Sequence, residues 1–190
     1  MRDGVRAAYS AAATYPDRIH AFPVGRGFAE SLGYPKTILD SLPPEAVEAF
    51  AGVSNVSVFA EVPPGASVLD LGCGAGLDSI ILARRVGPAG CVMGIDFSEA
   101  MLARARAAAS AAGCSNLTLR LGEAETLPCP AASIDVAIVN GIFNLNPFRT
   151  AVFSELARVM KPGGVAFVAE LVLTAPLPRT EQENESNWFA

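Results

Sequence analysis

The sequence predicts an α/β fold in which a doubly wound, mostly parallel sheet carries helices on both faces. From Ser67 onward, short aliphatic runs alternate with segments of helical periodicity. The aliphatic runs are apolar on both faces, as in parallel strands that are covered on both sides. Right-handed crossovers between such strands then give the doubly wound arrangement. The chain has 190 residues, of which 51% are hydrophobic, which is enough for one domain with a sizeable core.

The strands and helices of this sheet follow one another in order along the chain. Each strand run is short, rich in aliphatic residues and bounded by turn residues. Five strands are expected, at residues 67–72, 91–96, 116–122, 133–142 and 165–173. Helical spacing predicts helices at 77–86, at 98–113 with Ser98 as N-cap and Gly113 as the C-terminal stop, and at 150–160, where the turn at 161–164 ends the helix.

The first third of the chain has a different pattern. Residues 1–62 hold short helical pieces that prolines separate, so we expect a helical cap that lies on the sheet and has no core of its own. The sheet domain is expected at 63–175, and 176–190 as a truncated or flexible tail beyond a C-terminally incomplete sheet. An unprotected edge strand in such a sheet leaves a homodimer through strand pairing open.

Composition and charge argue against several classes of function. The net charge is −5 and there is no basic run, so we expect no nucleic-acid partner. No apolar run approaches the roughly 18 to 20 residues of a membrane span, so we expect no membrane association and a cytoplasmic protein. The four cysteines are widely separated and form no C-x-x-C pair, so no metal site is predicted; they are Cys73, Cys91, Cys114 and Cys129.

The stretch SVLDLGCGAGLDS, at residues 67–79, carries the strongest functional signal. Gly72, Gly74 and Gly76 let the backbone bend at a strand-to-helix turn and let a ligand approach it closely. The following helix offers free N–H groups at its start. Open α/β sheets bind ligands at the carboxyl ends of their strands, where this turn lies. Asp70, just before the loop, disfavours a pyrophosphate and suits a cationic group.

A second acid, Asp96, ends the next strand about 20 residues past the loop, where an acceptor for ribose hydroxyls is expected. Nicotinamide cofactors share this feature, so an NAD-dependent oxidoreductase stays open as an alternative. The spacing G-x-G-x-G differs from the dinucleotide fingerprint G-x-G-x-x-G, and Asp70 also weighs against a dinucleotide.

Four motifs taken together, VLDLGCGAGLDS, GIDFS, GEAETLP and MKPGG, resemble the class I S-adenosylmethionine-dependent methyltransferases over residues 63–173. The resemblance implies a Rossmann-like fold, S-adenosyl-L-methionine as cofactor and a small-molecule methyl acceptor. It also implies these roles: Asp70, Gly72, Gly74 and Gly76 hold the methionine part, Asp96 accepts the ribose hydroxyls, Phe97 and Met101 flank the adenine, Glu123 and Ala124 receive the adenine amino group, and Asn140 faces the methyl group as the candidate catalytic residue.

Several of these residues have a simpler interpretation. Glu123 also fits a solvated surface acid in a charge-rich loop, and Met101 fits ordinary helix core. Asn140 fits a turn former at a strand end. The cap aromatics are candidates for the wall of the acceptor pocket or for packing of the cap on the sheet; they are Tyr9, Tyr15, Phe22, Phe28 and Tyr34.

Within this family the segments AGLDSIILARRVGP, VNGIFNLNP and LPPEAVEAFAGVSN are most similar to arsenite methyltransferases. That group binds arsenic through cysteine thiolates, which suit a soft metalloid. Gly141 stands where the resemblance places one such cysteine, and residues 1–66 contain no cysteine. We therefore expect direct in-line methyl transfer to another small acceptor. Arsenite methylation and a non-catalytic cofactor-binding fragment remain alternatives.

Overall fold

The computed structural model describes residues 2–173 and 175. Its sheet has five parallel strands in the order β3-β2-β1-β4-β5. The strands are β1 (Ser67–Leu71), β2 (Cys91–Asp96), β3 (Leu117–Leu121), β4 (Ile134–Asn140) and β5 (Met160–Ala169). The helices are α1 (Arg2–Thr14), α2 (Arg26–Ser31), α3 (Lys36–Asp40), α4 (Pro44–Glu48), α5 (Val56–Phe59), α6 (Leu77–Val86), α7 (Glu99–Ala111) and α8 (Arg149–Val159).

The predicted doubly wound sheet is confirmed. Strand β1 lies at its centre and pairs with β2 on one side and with β4 on the other, so the strand order reverses there. The loops that follow β1 and β4 therefore leave the sheet at its carboxyl edge with a crevice between them. Residues such as Leu69 and Ile138 are fully buried because helices cover both faces of these central strands.

Helix α7 shows why the sequence signals were reliable in this part of the chain. The hydroxyl of Ser98 accepts a hydrogen bond from the backbone N–H of Met101 at 3.3 Å, as predicted for an N-cap. Gly113 lies two residues past the end of the helix with a φ of 66°, in the left-handed conformation of a helix stop.

The first five helices lie against the sheet, in large part through α6 and α7. Apolar residues of α2, α3, α4 and the segments that join them form one buried cluster with α6 and α7, among them Leu39, Phe50, Ile80 and Ala108. The N-terminal segment thus shares a core with the sheet. The division at residues 62 and 63 stays a prediction.

The fifth strand differs from its predicted bounds. The sequence predicts a turn at 161–164 and a strand at 165–173, whereas β5 begins at Met160 and ends at Ala169. Met160 pairs with Ile134 and Val165 pairs with Val136, so residues 161–164 form an irregularity inside the strand. Gly163 takes a φ of 81° there. β5 is an edge strand of the described sheet, and dimerisation through it stays a prediction.

Two further expectations concern the ends of the chain and the membrane. The expected tail at 176–190 lies outside the described residues. Within residues 2–173, none of the helices has the length and apolar character needed to cross a membrane.

Candidate cofactor site

The glycine loop follows β1 at the carboxyl edge of the sheet. The backbone N–H groups of Gly72 and Cys73 donate to the carbonyl of Ile95 at 2.8 and 3.0 Å, so the loop bends sharply towards β2. Gly72 has a φ of 78°, and a Cβ there would overlap Cγ2 of Ile142. The loop therefore needs glycine at this position for both its conformation and its close contact with the segment after β4.

A cleft opens above this loop and beneath the N-terminal helices. Its empty volume, open mouth included, is about 1020 Å³. Every residue that the sequence assigned to the cofactor lies in its wall, apart from Gly76, which begins α6 in the left-handed conformation. The predicted site residues are thus brought together.

Three buried carboxylates line the floor of the cleft: Asp70, Asp78 and Asp96. Ser79 donates a hydrogen bond to Asp70, and burial with the neighbouring charge of Asp78 raises the pKa of Asp70 to about 8. Burial likewise raises the pKa of Asp78. For Asp96 burial again dominates and raises the pKa to about 6, although backbone N–H groups oppose the shift.

This charge pattern shows which cofactor the cleft fits. Arg2 is the one basic residue in the described lining, and its guanidinium is already paired with Glu123. A ligand with ammonium and sulfonium groups would favour the ionised forms of Asp70 and its neighbours. A pyrophosphate would oppose their ionisation. The donor set therefore fits S-adenosylmethionine and disfavours a dinucleotide.

Asp96 lies at the end of β2 with its carboxylate held from two sides. One oxygen accepts the backbone N–H of Gly74 at 2.9 Å, and the other accepts that of Ser98 at 2.8 Å. Each oxygen keeps a further lone pair for a ligand hydroxyl. Phe97 follows Asp96 and lies in the cleft wall, and Met101, which also lines the cleft, is fully buried in an apolar cluster that includes Ala75.

Helix α1 lies over the part of the cleft next to β2 and β3. Arg2 and Arg6 bind the two carboxylate oxygens of Glu123 at 2.6 and 2.8 Å. The Arg6 guanidinium also lies 5.5 Å from the ring centre of Phe97. Ser10 is hydrogen-bonded to Ser98 at 2.9 Å. Glu123 is therefore held by α1, and Ala124 follows it in the cleft wall.

Asn140 ends β4 and is the most completely engaged of the predicted residues. Its Oδ1 accepts the backbone N–H groups of Val53 and Ser54 at 2.9 and 3.0 Å. Its Nδ2 donates to the Ser54 carbonyl at 2.7 Å and to Asp78 at 3.0 Å. The amide thus joins the cap segment to the sheet while it lines the cleft.

The sequence signals missed Asp78 and the role of α1. Asp78 lies in the first turn of α6 and accepts hydrogen bonds from Tyr34, Ser57 and Asn140. No local pattern marks such a cluster, because its donors come from three distant segments. The spacing of Arg2, Arg6 and Ser10 did carry a signal, since positions four apart share one helix face.

Comparison with known proteins supports the same assignment. A family model described as "Methyltransferase domain" matches residues 63–189. An arsenite methyltransferase of Halobacterium salinarum is 38% identical over 150 residues, which cover 79% of this chain and 38% of the relative. The chain belongs to the class I S-adenosylmethionine-dependent methyltransferases. The cofactor of this methyltransferase chain is accordingly S-adenosylmethionine.

The names of two further similar proteins refer to demethylmenaquinone and to arsenic. A demethylmenaquinone methyltransferase of Lactococcus lactis is 40% identical over 100 residues, or 53% of this chain and 40% of that protein. The crystal structure of an arsenic(III) S-adenosylmethionine methyltransferase from Chlamydomonas reinhardtii has a TM-score of 0.66 at 30% identity, covering 88% of this chain and 57% of that one. The chain spans about two fifths of the length of these curated relatives.

Proposed function

We propose that this methyltransferase transfers a methyl group to a small-molecule acceptor by direct in-line displacement. The observation that carries the proposal is the trio of buried carboxylates, Asp70, Asp78 and Asp96, in a cleft that α1 covers. When bound, S-adenosylmethionine supplies an already activated methyl group, so the protein has mainly to align two reactants and exclude water.

The residues of the cleft divide this work between them. Asp70 offers its charge to the cationic amino acid part of the cofactor, and Asp96 offers its free lone pairs to the ribose hydroxyls. Glu123 and Ala124 stand at the adenine end under α1, and Phe97 and Met101 provide apolar surface there. In this proposal Asn140 contributes by fixing the cap segment at the edge of the reaction space.

The acceptor is proposed to be an organic molecule held without thiolates. Gly141 has a φ of 84°, and a Cβ built there would lie 2.8 Å from Cγ1 of Val53. A cysteine at this position would need both a strained backbone and a shift of the cap. The described residues hold no group of three or more His, Cys, Asp and Glu side chains arranged for a metal ion.

Arsenite methylation is the second candidate, because the arsenite methyltransferase of Halobacterium salinarum is similar over most of this chain. Demethylmenaquinone methyltransferases are similar over about half of it, which favours an oxygen-bearing aromatic acceptor instead. The two candidate functions require different acceptor sites. Trivalent arsenic requires thiolates, whereas an aromatic ring requires an apolar wall.

A direct assay tests the proposal. The purified chain is incubated with S-adenosylmethionine and either arsenite with a thiol or small phenols and hydroquinones, and mass spectrometry follows S-adenosylhomocysteine and methylated product. We expect product from the organic set, loss of product with Asp96→Ala, and retention with Asp40→Ala, an exposed acid far from the cleft. Product from arsenite alone would replace the first candidate by the second, and no product from either set would contradict methyl transfer by this chain.

A further inference from the structure

Tyr9 lies on α1 and lines the cleft. Its ring stacks on Phe22 with 4.5 Å between ring centres, which fixes the ring at the edge of the N-terminal helices. The ion pairs of Arg2 and Arg6 with Glu123 and the bond between Ser10 and Ser98 hold the helix on both sides of Tyr9. Tyr9 therefore lies on a helix, α1, that is held in place on both sides of it.

Tyr9 lines the same cleft as Asp96 and Asn140. The carboxylates of Asp96, at the end of β2, and Glu170, just after β5, both act on it electrostatically. Asp96 ends β2 and Glu170 follows β5, so charges from both sides of the central strands β1 and β4 act on this hydroxyl. The adenine and ribose residues Glu123 and Asp96 lie on the β2 and β3 side of the cleft.

Most polar side chains of the cleft are already engaged, whereas the Tyr9 hydroxyl is free. Asn140 and Asp78 bind each other and the cap. Glu123 is held by α1. The Tyr9 hydroxyl makes no hydrogen bond within residues 2–173. An unpaired phenol in the wall of a cleft is able to donate a hydrogen bond to a bound ligand.

We propose that Tyr9 is a specificity residue whose hydroxyl donates a hydrogen bond to an oxygen atom of the methyl acceptor, so that the site selects neutral, oxygen-bearing organic acceptors. The inference rests on the proposed function and names the substrate class of that same site.

The electrostatics of the cleft decide the direction of this bond and the charge of its partner. Burial, with the charges of Asp96 and Glu170, raises the pKa of Tyr9 well above its usual value, so the phenol keeps its proton and donates. Anionic acceptors are disfavoured by the same carboxylates. The surrounding wall is apolar, with Val5, Phe50, Ile142 and Leu145 in the lining, and suits a carbon skeleton.

The test uses two probes that differ by one oxygen. 1-Tetralone is a neutral bicyclic ketone, and tetralin has almost the same skeleton without the oxygen. Each is titrated by NMR into the wild-type chain, Tyr9→Phe and Tyr15→Phe, with and without saturating S-adenosylhomocysteine. Tyr15 is the matched control because its ring is half exposed and lies against Arg18.

We expect the wild type and Tyr15→Phe to bind tetralone about three- to tenfold more tightly than tetralin, the size of one hydrogen bond. Tyr9→Phe should abolish that preference and keep the affinity for tetralin and for S-adenosylhomocysteine. Equal affinity for both probes in the wild type, or no binding of either, would overturn the proposal. So would a preference that survives in Tyr9→Phe, or a loss confined to S-adenosylhomocysteine, which would assign the hydroxyl to the cofactor.

The same data separate this proposal from the proposed function. A wild-type chain that fails to bind S-adenosylhomocysteine contradicts the methyltransferase function, whereas the comparison of tetralone with tetralin in the cofactor-free protein still decides the role of Tyr9.

Discussion

The side-chain amide of Asn140 donates a hydrogen bond to the carboxylate of Asp78 at 3.0 Å, and this contact joins the end of β4 to the first turn of α6. The same amide binds the backbone of Val53 and Ser54, while Asp78 binds Tyr34 and Ser57. The cap, the first turn of α6 and the end of β4 thus meet in one polar network. This network explains how the cap, which has no core of its own, is held in one position on the sheet.

Replacing Asn140 by alanine should destabilise the protein by about 3 kcal/mol, because two backbone donors and two acceptors lose their partner at once in a partly buried site. Chemical denaturation measures this loss. Asn144→Ala, which removes a more exposed amide, is the matched control and should cost less than about 1 kcal/mol. Equal small losses in the two variants would contradict the role of the network.

The affinity for S-adenosylhomocysteine should rise with pH between about 6 and 8. Burial raises the pKa of Asp70 to about 8 in the free protein, so below that pH the ammonium group of the ligand must displace a proton. Calorimetry at pH 7 in buffers of different ionisation enthalpy should show proton release on binding. Asp70→Asn should bind more weakly and lose this pH dependence. A wild-type affinity that does not change with pH over this range would contradict the assignment of a cationic partner to Asp70.

The same carboxylate should make the free protein less stable as the pH rises. The folded-state pKa of Asp70 lies above the value of 3.8 for a free side chain, so between about pH 4 and 8 the folded state binds more protons than the unfolded state. Stability therefore falls with rising pH over that window. At pH 8, Asp70→Asn should raise the Tm by at least about 2 °C, the equivalent of roughly 1 kcal/mol in a domain of this size. A lower Tm at that pH would show that the charge is stabilising.

Gly72→Ala and Gly65→Ala form a matched pair at left-handed backbone positions. Their φ values are 78° and 80°, so both variants carry the same backbone strain of about 1 kcal/mol. A Cβ at Gly65 meets open space, whereas one at Gly72 overlaps Ile142. Gly72→Ala should therefore lose clearly more stability in denaturation and also bind S-adenosylhomocysteine more weakly. Equal losses of stability in the two variants would contradict the close contact between the loop at Gly72 and Ile142.

Asp96→Ala should weaken S-adenosylhomocysteine binding by about 1 to 3 kcal/mol, or roughly 5- to 150-fold, because the ribose hydroxyls lose a charged acceptor. Asp40→Ala removes an acid that is paired with Arg26 on the surface and should leave the affinity unchanged. Isothermal titration compares the two variants. An unaltered dissociation constant for Asp96→Ala would show that its carboxylate serves only the backbone of Gly74 and Ser98.

The sheet and the cofactor loop were predictable because each signal lies within a short stretch of chain. Asp70, the glycines and α6 follow one another directly, and Ser98 caps its own helix. The network around Asn140 was not predictable, because Val53 and Asn140 are 87 positions apart and Tyr34 and Asp78 are 44 apart. Such pairs depend on how the cap docks, which no local periodicity encodes.

The misplaced end of β5 has a physical reason of its own. The apolar run at 165–173 resembles a longer strand, but the carboxylate of Glu170 turns back to accept the backbone N–H of Phe143 at 2.6 Å. Glu170 is thereby used to hold the loop after β4, and the strand pairing ends at Ala169. An acid inside an aliphatic run was the available sign of that ending.

The central claim, that the acid-floored cleft binds S-adenosylmethionine, is tested most directly by isothermal titration of the chain with S-adenosylhomocysteine and, separately, with NADH. The account predicts one site of micromolar affinity for S-adenosylhomocysteine and no heat of binding for NADH. Binding of NADH, or no binding of S-adenosylhomocysteine at pH 8, where Asp70 is about half ionised, would contradict it.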